Sequence, residues 1–85
     1  MAGEKKAIGT VTHYFGKISV IAIELTDTLK VGDTILIEGH GDSLEQLVDS
    51  MQIDNKSVLE AKAGDGIGLK VKEKVHVGDN VFLVS

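Results

Sequence analysis

The sequence predicts an all-β domain, folded as an antiparallel barrel or sandwich. Three observations lead to this fold class: there is no proline, ten glycines lie between the apolar runs, and those runs are short and rich in β-branched residues. Short apolar runs separated by glycines are typical of strands joined by tight turns. With 42% apolar residues in 85, the chain must bury a small core. We expect one domain at residues 7–85, after a flexible N-terminus at residues 1–6.

The first two predicted strands form a hairpin with aromatic residues at its tip. Ile8–Tyr14 is rich in β-branched residues, and Ile18–Leu25 continues the bias after Phe15 and Gly16. The second strand is apolar on both faces. Either a loop covers its outer face, or that face meets a partner.

Three later runs predict the remaining regular strands. They are Thr34–Glu38, Ile67–Val71 and Val81–Val84.

The segment Asp42–Ile53 has two readings. Its apolar residues recur at helical spacing, and Ser43 and Gln46 have the spacing of a capping box, so periodicity alone favours a helix. The residues with that spacing are Leu44, Leu47, Val48 and Met51. In a strand, Leu44, Gln46 and Val48 would share one face. An extra residue near Asp49 and Ser50 would then bring Met51 and Ile53 onto the same face.

A Gly-Asp turn recurs before the predicted strands. Leu-Lys-Val-Gly-Asp-Thr-Ile-Leu-Ile at 29–37 corresponds to Val-His-Val-Gly-Asp-Asn-Val-Phe-Leu at 75–83, and a third Gly-Asp pair, Gly64 and Asp65, precedes Ile67. Glycine permits a positive φ, and an aspartate carboxylate accepts hydrogen bonds from nearby amides. The repeat therefore predicts architecture and carries no chemistry of its own.

The same residues carry a resemblance to a known family. Gly9-Thr-Val, Leu29-Lys-Val-Gly-Asp, Val48, the run Ala61–Leu69 and Val77-Gly-Asp follow the order of the second domain of translational GTPases such as elongation factor Tu. The chain also resembles the short C-terminal barrel of collagenase-like peptidases and small proteins labelled translation elongation factor-like. The resemblance implies a closed six- or seven-stranded Greek-key barrel, with Leu44–Ile53 as a strand containing a bulge.

The elongation-factor resemblance also implies a binding residue. The acid that lies beside the terminal adenosine of tRNA in that family corresponds to Asp49, one methylene shorter than the usual glutamate. Gln52 occupies a position where that family has a basic residue, and Lys62 occupies one where it has arginine. The Gly-x-x-x-x-Gly-Lys-Ser/Thr loop of the GTPase half is absent, so we expect no GTP binding.

Composition argues against catalysis and against metal or cofactor binding. Without cysteine there is no thiolate ligand or nucleophile, and no serine lies in a nucleophile elbow. His13, His40 and His76 lack the spacing of metal ligands on one element. We therefore expect a non-catalytic domain with no cofactor and no metal. No signal peptide or membrane-spanning run is visible, which predicts a cytoplasmic protein that does not bind membranes.

Two groups of residues are candidate binding sites. Lys70, Lys72 and Lys74 alternate and would share one strand face, with Lys62 nearby, so they form either a site for phosphate contacts or a solvated face. Asp49 is a further candidate nucleic-acid contact, implied by the resemblance. The second group is the hairpin tip, where His13, Tyr14 and Phe15 could stack on a base or fill a partner's pocket. Alternatively, one of these three side chains closes the open end of the barrel.

Two functions follow from these sites. The first is a binding module near translation that contacts RNA or a ribonucleoprotein. The alternative is a protein-interaction accessory that works beside a peptidase or another enzyme. The net charge of −4, with lysine as the only basic side chain apart from histidine, disfavours indiscriminate nucleic-acid binding.

Overall fold

The computed structural model describes residues 5–39 and 41–84, and its regular structure consists of ten β-strands. The strands are β1 Lys5–Phe15, β2 Val20–Leu25, β3 Leu29–Lys30, β4 Thr34–Gly39, β5 Asp42–Leu47, β6 Met51–Ile53, β7 Lys56–Val58, β8 Glu60–Ala61, β9 Gly66–Lys70 and β10 Asn80–Val84.

Eight of the strands form one antiparallel sheet in the order β5-β4-β10-β1-β2-β9-β6-β7, and β3 pairs with β8 in a second sheet. The all-β antiparallel prediction is confirmed. The β1–β2 hairpin was also predicted correctly, although β2 begins at Val20 because Ile18 belongs to the turn. The predicted flexible segment at residues 1–6 overlaps β1, which begins at Lys5, and residues 1–4 lie outside the described part of the chain.

The closed six- or seven-stranded barrel is not found. Within residues 5–39 and 41–84 neither sheet closes on itself, because β5 lies at one edge of the large sheet and β7 at the other. The chain passes from β5, beside β4, to β6, beside β9, through residues 48–50. The two parts of the sheet are therefore joined here by the covalent chain and not by a backbone ladder.

A side chain also bridges β5 to the end of β9. Gln46 is only 6% exposed; its Nε2 donates to the carbonyl oxygen of Lys70 at 2.9 Å, and its Oε1 accepts from the amide of Lys72 at 3.0 Å. A carboxamide presents the same donor and acceptor as a peptide group. Gln46 thus substitutes for one strand-to-strand hydrogen-bond pair.

The helix that periodicity favoured at Asp42–Ile53 is wrong. The extended conformation implied by the resemblance is confirmed, but as two strands, β5 and β6, that pair with different neighbours and not as one bulged strand. Leu44, Gln46 and Val48 are buried on one face while Leu47 is 47% exposed. After residues 48–50 the chain resumes with Met51 buried and Ile53 packed against the core. The apolar spacing i, i+4, i+7 arises because a strand interrupted by three residues changes its phase.

The core lies on the inner face of the large sheet. Alternate residues of β2, β4 and β9 point inward, including Ile21, Ile35 and Leu69, and they pack with buried valines from the connecting segments. The central strand β1 follows the curvature through two register shifts, between Ala7 and Gly9 and between Val11 and His13.

Three turns of the same construction hold the strands together. In each, a glycine has φ between 93° and 100°, and the following aspartate accepts a hydrogen bond of 2.9–3.0 Å from the amide three residues earlier. The pairs are Gly32 and Asp33, Gly64 and Asp65, and Gly78 and Asp79. The predicted roles of glycine and aspartate are therefore confirmed.

Each turn also binds the backbone of one buried apolar residue. The amide of Gly32 donates to the oxygen of Val48, and the oxygen of Asp33 accepts from the amide of Val48. The other two turns repeat this pair of bonds on Leu25 and Val11. All three partners are 0–1% exposed, so the turns connect the surface loops directly to the core.

Candidate functional site

A concave surface lies on the outer face of β1, β2, β9 and β6. Register places His13 beside Ala22, Ala22 beside Gly68, and Gly68 beside Gln52. The cleft has a volume of about 520 Å³. We call it the trough: one wall is Phe15 and Ile18, the floor is Val20, Ala22, Gly66 and Gly68, and the other wall is Gln52, Asp54 and Asn55.

The first wall is apolar and open to solvent. Phe15 is 50% exposed and Ile18 is 61% exposed. The ring of His13 stacks on that of Phe15 with centroids 6.0 Å apart and planes inclined by 10°, which fixes the orientation of the phenyl ring. Tyr14 points the other way and packs against the core. The predicted hairpin site is therefore divided: His13 and Phe15 are available to a partner, whereas Tyr14 is structural.

The floor is shallow because two strand residues have no side chain. Gly66 and Gly68 have φ outside the left-handed region, so their backbone does not require glycine. A Cβ added at Gly66 would meet nothing within 4 Å, and one at Gly68 would only touch a methyl of Val20 at 3.8 Å. Neither the backbone nor the packing explains these glycines, which normally weaken a strand.

The second wall is a tight hairpin turn between β6 and β7. Ile53 pairs with Lys56, and Asp54 and Asn55 between them have φ of 52° and 65°. This is a two-residue type I′ turn, whose positive φ values aspartate and asparagine tolerate best among side-chain-bearing residues. The Asp-Asn pair between two short polar-apolar runs was the sequence signal for β6, β7 and this wall, and the sequence prediction missed it.

The charged residues give the two ends of the trough opposite signs. Glu24 is exposed on the outer face of β2, opposite Gly66, and Asp54 lines the same cleft. At the other end Lys70 is paired with Val20 across β2 and β9. By strand register the trough is therefore flanked by Glu24 and Asp54 at the Gly66 end and by Lys70, which lines a neighbouring cleft, at the Val20 end.

The predicted lysine ridge does not form on one strand. Strand β9 ends at Lys70, and Lys72 and Lys74 lie in the irregular segment that follows. Lys62 precedes the opposite end of β9, a five-residue strand about 13 Å long. The alternate-residue geometry is thus wrong, because the strand is shorter than the lysine pattern.

Part of that predicted site is nonetheless brought together. Asp49, Lys70 and Lys72 line a second cleft of about 480 Å³. Ser19, Gln46 and Ser50 also line it. Phosphate contacts by the lysines and a nucleic-acid contact by Asp49 stay predictions.

The described residues show no group of side chains that could bind a metal ion. Among residues 5–39 and 41–84, no three histidine, aspartate or glutamate side chains are close enough to hold a metal ion, and His40 lies outside them. A hydrogen bond from Lys6, with a second from the amide of Thr28, holds the pKa of Asp27 below its usual value of 3.8. That carboxylate belongs to an exposed ion pair away from both clefts. The same part of the chain contains no helix able to cross a membrane.

The sequence is similar to parts of two longer peptidase-type proteins, although no family model matches it. It is 46% identical over 81 residues, 94% of this chain, to an uncharacterised protease of Methanocaldococcus jannaschii. It is 30% identical over 81 residues, 93% of this chain, to a collagenase of Porphyromonas gingivalis. The chain spans only 20% and 22% of the length of these relatives.

The fold matches a domain from a third protein. Two crystal structures of the C-terminal domain of a Geobacillus thermoleovorans protein, described as a U32 peptidase, superpose with TM-scores of 0.84 and 0.86. The match covers 89% and 92% of this chain and 96% and 91% of that domain. At 14% identity the likeness shows a shared fold.

These comparisons correct the resemblance stated from the sequence. The similarity to collagenase-like peptidases is confirmed, and the assignment to translation factors is wrong. The Gly-Asp motifs that suggested elongation factor Tu are the three turns that tie loops to the core. They specify this type of fold and carry no information about translation.

Proposed function

We propose that this chain is a non-catalytic accessory domain that binds polypeptide on behalf of a collagenase-like peptidase. The observation that carries the proposal is the 46% identity to a segment of a protease, across 94% of this chain but only 20% of that protein. A segment of that size, with the fold of a peptidase's C-terminal domain, accompanies the catalytic part and does not replace it.

The side chains of the described residues support a binding role. Residues 5–39 and 41–84 contain no cysteine, and their carboxylates at Asp33, Asp65 and Asp79 accept hydrogen bonds from turn amides. A metal-bound water is one agent of peptide hydrolysis, and the same residues contain no group of side chains that could hold the metal ion. The trough offers what a binding domain needs: exposed apolar side chains beside polar ones.

Immunoprecipitation from the source cells tests the association. An antibody against the 85-residue chain should recover a collagenase-like peptidase, identified by mass spectrometry, whether the chain is joined to it or bound to it. Nuclease treatment should not change this result. A precipitate that contains RNA-binding proteins and loses them with nuclease, and contains no peptidase, would refute the proposal.

An activity measurement tests the non-catalytic part. The purified chain alone should leave denatured collagen intact, because it lacks the groups for hydrolysis. Cleavage that persists after the chain is repurified from a different expression host would contradict a purely accessory role.

A further inference from the structure

We propose that the trough binds one extended segment of the peptidase's polypeptide substrate, with a cationic side chain at the Glu24 end and apolar side chains against Phe15 and Ile18. This inference rests on the proposed function and specifies the site and the chemistry of the ligand.

The floor of the trough favours close approach of a backbone. Glycine inside a strand costs stability and commonly marks a place where another backbone or a ligand comes near. Gly66 and Gly68 are two such residues on the outer face of β9, and neither φ nor packing requires them. Their outward space is open and lies beside Ala22, the smallest side chain on β2.

The width of the trough selects an extended segment. Its walls stand on β1 with its following turn and on β6 with its following turn, three strand spacings apart, which is about 14 Å between backbones. The side chains of Phe15 and Gln52 occupy part of that width. A helix with its side chains is about 10–12 Å across and would not reach the floor, whereas a single extended strand would.

The charges give the bound segment a direction. Glu24 and Asp54 make the Gly66 end acidic, and Lys70 makes the Val20 end basic. From Val20 to Glu24 the floor is about 13 Å long, the length of roughly four extended residues. A segment would match this pattern with a lysine or arginine at the Gly66 end, apolar residues towards the Val20 end, where Phe15 lies by register, and an acid last.

Fluorescence anisotropy with synthetic peptides tests the proposal. The probe is a labelled hexapeptide with lysine first, leucine and valine at alternate central positions, and glutamate last; the matched control is the same peptide with glutamine in place of both the lysine and the glutamate. The wild-type chain should bind the first peptide about two- to fivefold more tightly than the second, which is the size expected of exposed charge pairs. Raising the salt concentration should reduce the difference.

Two variants connect the binding to the trough. Gly68→Val should keep or raise the melting temperature, because valine suits a strand and has room there, yet weaken peptide binding about tenfold or more by filling the floor. Glu24→Lys should remove most of the preference for the first peptide, because Asp54 alone of these two acids then remains at that end and a lysine lies beside it. Thr34→Val, on β4 away from the trough, is the control and should bind like the wild-type chain.

Each outcome decides the matter. No binding at millimolar peptide, unchanged binding by Gly68→Val, or unfolding of Gly68→Val would overturn the inference, the last because it would show that the fold itself needs this glycine. Binding of a single-stranded RNA in place of either peptide would also overturn it. None of these results depends on recovering a peptidase by immunoprecipitation, so failure of the trough and failure of the accessory role are distinguishable.

Discussion

Glycine has two different roles at single positions of this chain. At Gly32 and Gly78 the backbone has φ of 100° and 95°, which a residue with a Cβ adopts only under strain. At Gly66 the φ lies outside that region and the outward space is open. Glycine at positive φ therefore stabilises the fold, whereas Gly66 leaves open space in the trough. Substitution at each position should affect stability in the first case and not in the second.

We predict that Gly32→Val and Gly78→Val each lower the free energy of unfolding by about 1–3 kcal/mol, because a β-branched residue at positive φ is strained. Gly66→Val is the matched control, and we expect it to unfold at or above the wild-type denaturant concentration. Chemical denaturation of the three variants measures the effect. If both turn variants unfold like the wild-type chain, the turns do not depend on glycine.

At the scale of elements, the connection between β5 and β6 decides the shape of the sheet. Residues 48–50 connect β5, which pairs with β4, to β6, which pairs with β9. Within this connection the turn at Gly32 hydrogen-bonds the backbone of Val48. Across the same gap, Gln46 bonds both an oxygen and an amide of the segment that ends β9. The buried side chain of Gln46 therefore connects β5 to the end of β9, two strands that are not neighbours in the sheet.

We predict that Gln46→Leu destabilises the chain by about 1–3 kcal/mol, because the Lys70 oxygen and the Lys72 amide lose their partner in a partly buried place. Glu45→Leu, one residue away and exposed, is the control and should change stability by about 0.5 kcal/mol or less. Thermal and urea melts compare the two. Equal effects would show that the Gln46 bridge contributes nothing beyond its position on β5.

At the scale of the whole molecule, we expect backbone amides to be best protected from hydrogen exchange in the middle of the large sheet and least protected at its edges. Strands β1 and β2 lie in its interior and are paired on both sides, whereas β7 is a three-residue strand at an edge. The trough spans these two regions: its floor stands on β2 and β9, and one wall stands on the β6–β7 turn. That wall is therefore the part of the site with the least support.

We predict that amide hydrogen exchange is slowest in β1 and β2 and fastest among the strands in β7. Binding of the lysine-first peptide should slow exchange in β6 and β7 more than in β10, which is remote from the trough. Exchange followed by nuclear magnetic resonance, with and without peptide, measures both. Protection in β7 equal to that in β1 would contradict this order.

The sequence by itself determined the class of fold, the five main runs of strand and the three Gly-Asp turns. These depend on local chemistry: β-branched residues, glycine at positive φ, and an aspartate that bonds an amide three residues away. It also excluded a GTP-binding loop, which is a contiguous motif.

Only the tertiary structure decided how the strands meet and what they form. Asp42–Ile53 has helical spacing but is extended, because pairing with β4 and β9 outweighs a local preference. The lysines from Lys70 to Lys74 do not share a strand, because β9 ends at the first of them. The trough contains residues from four strands and two turns that are far apart in the chain. Its apolar wall, its glycine-containing floor and the opposite charges at its ends therefore form no contiguous motif in the sequence. The register of the sheet brings them together.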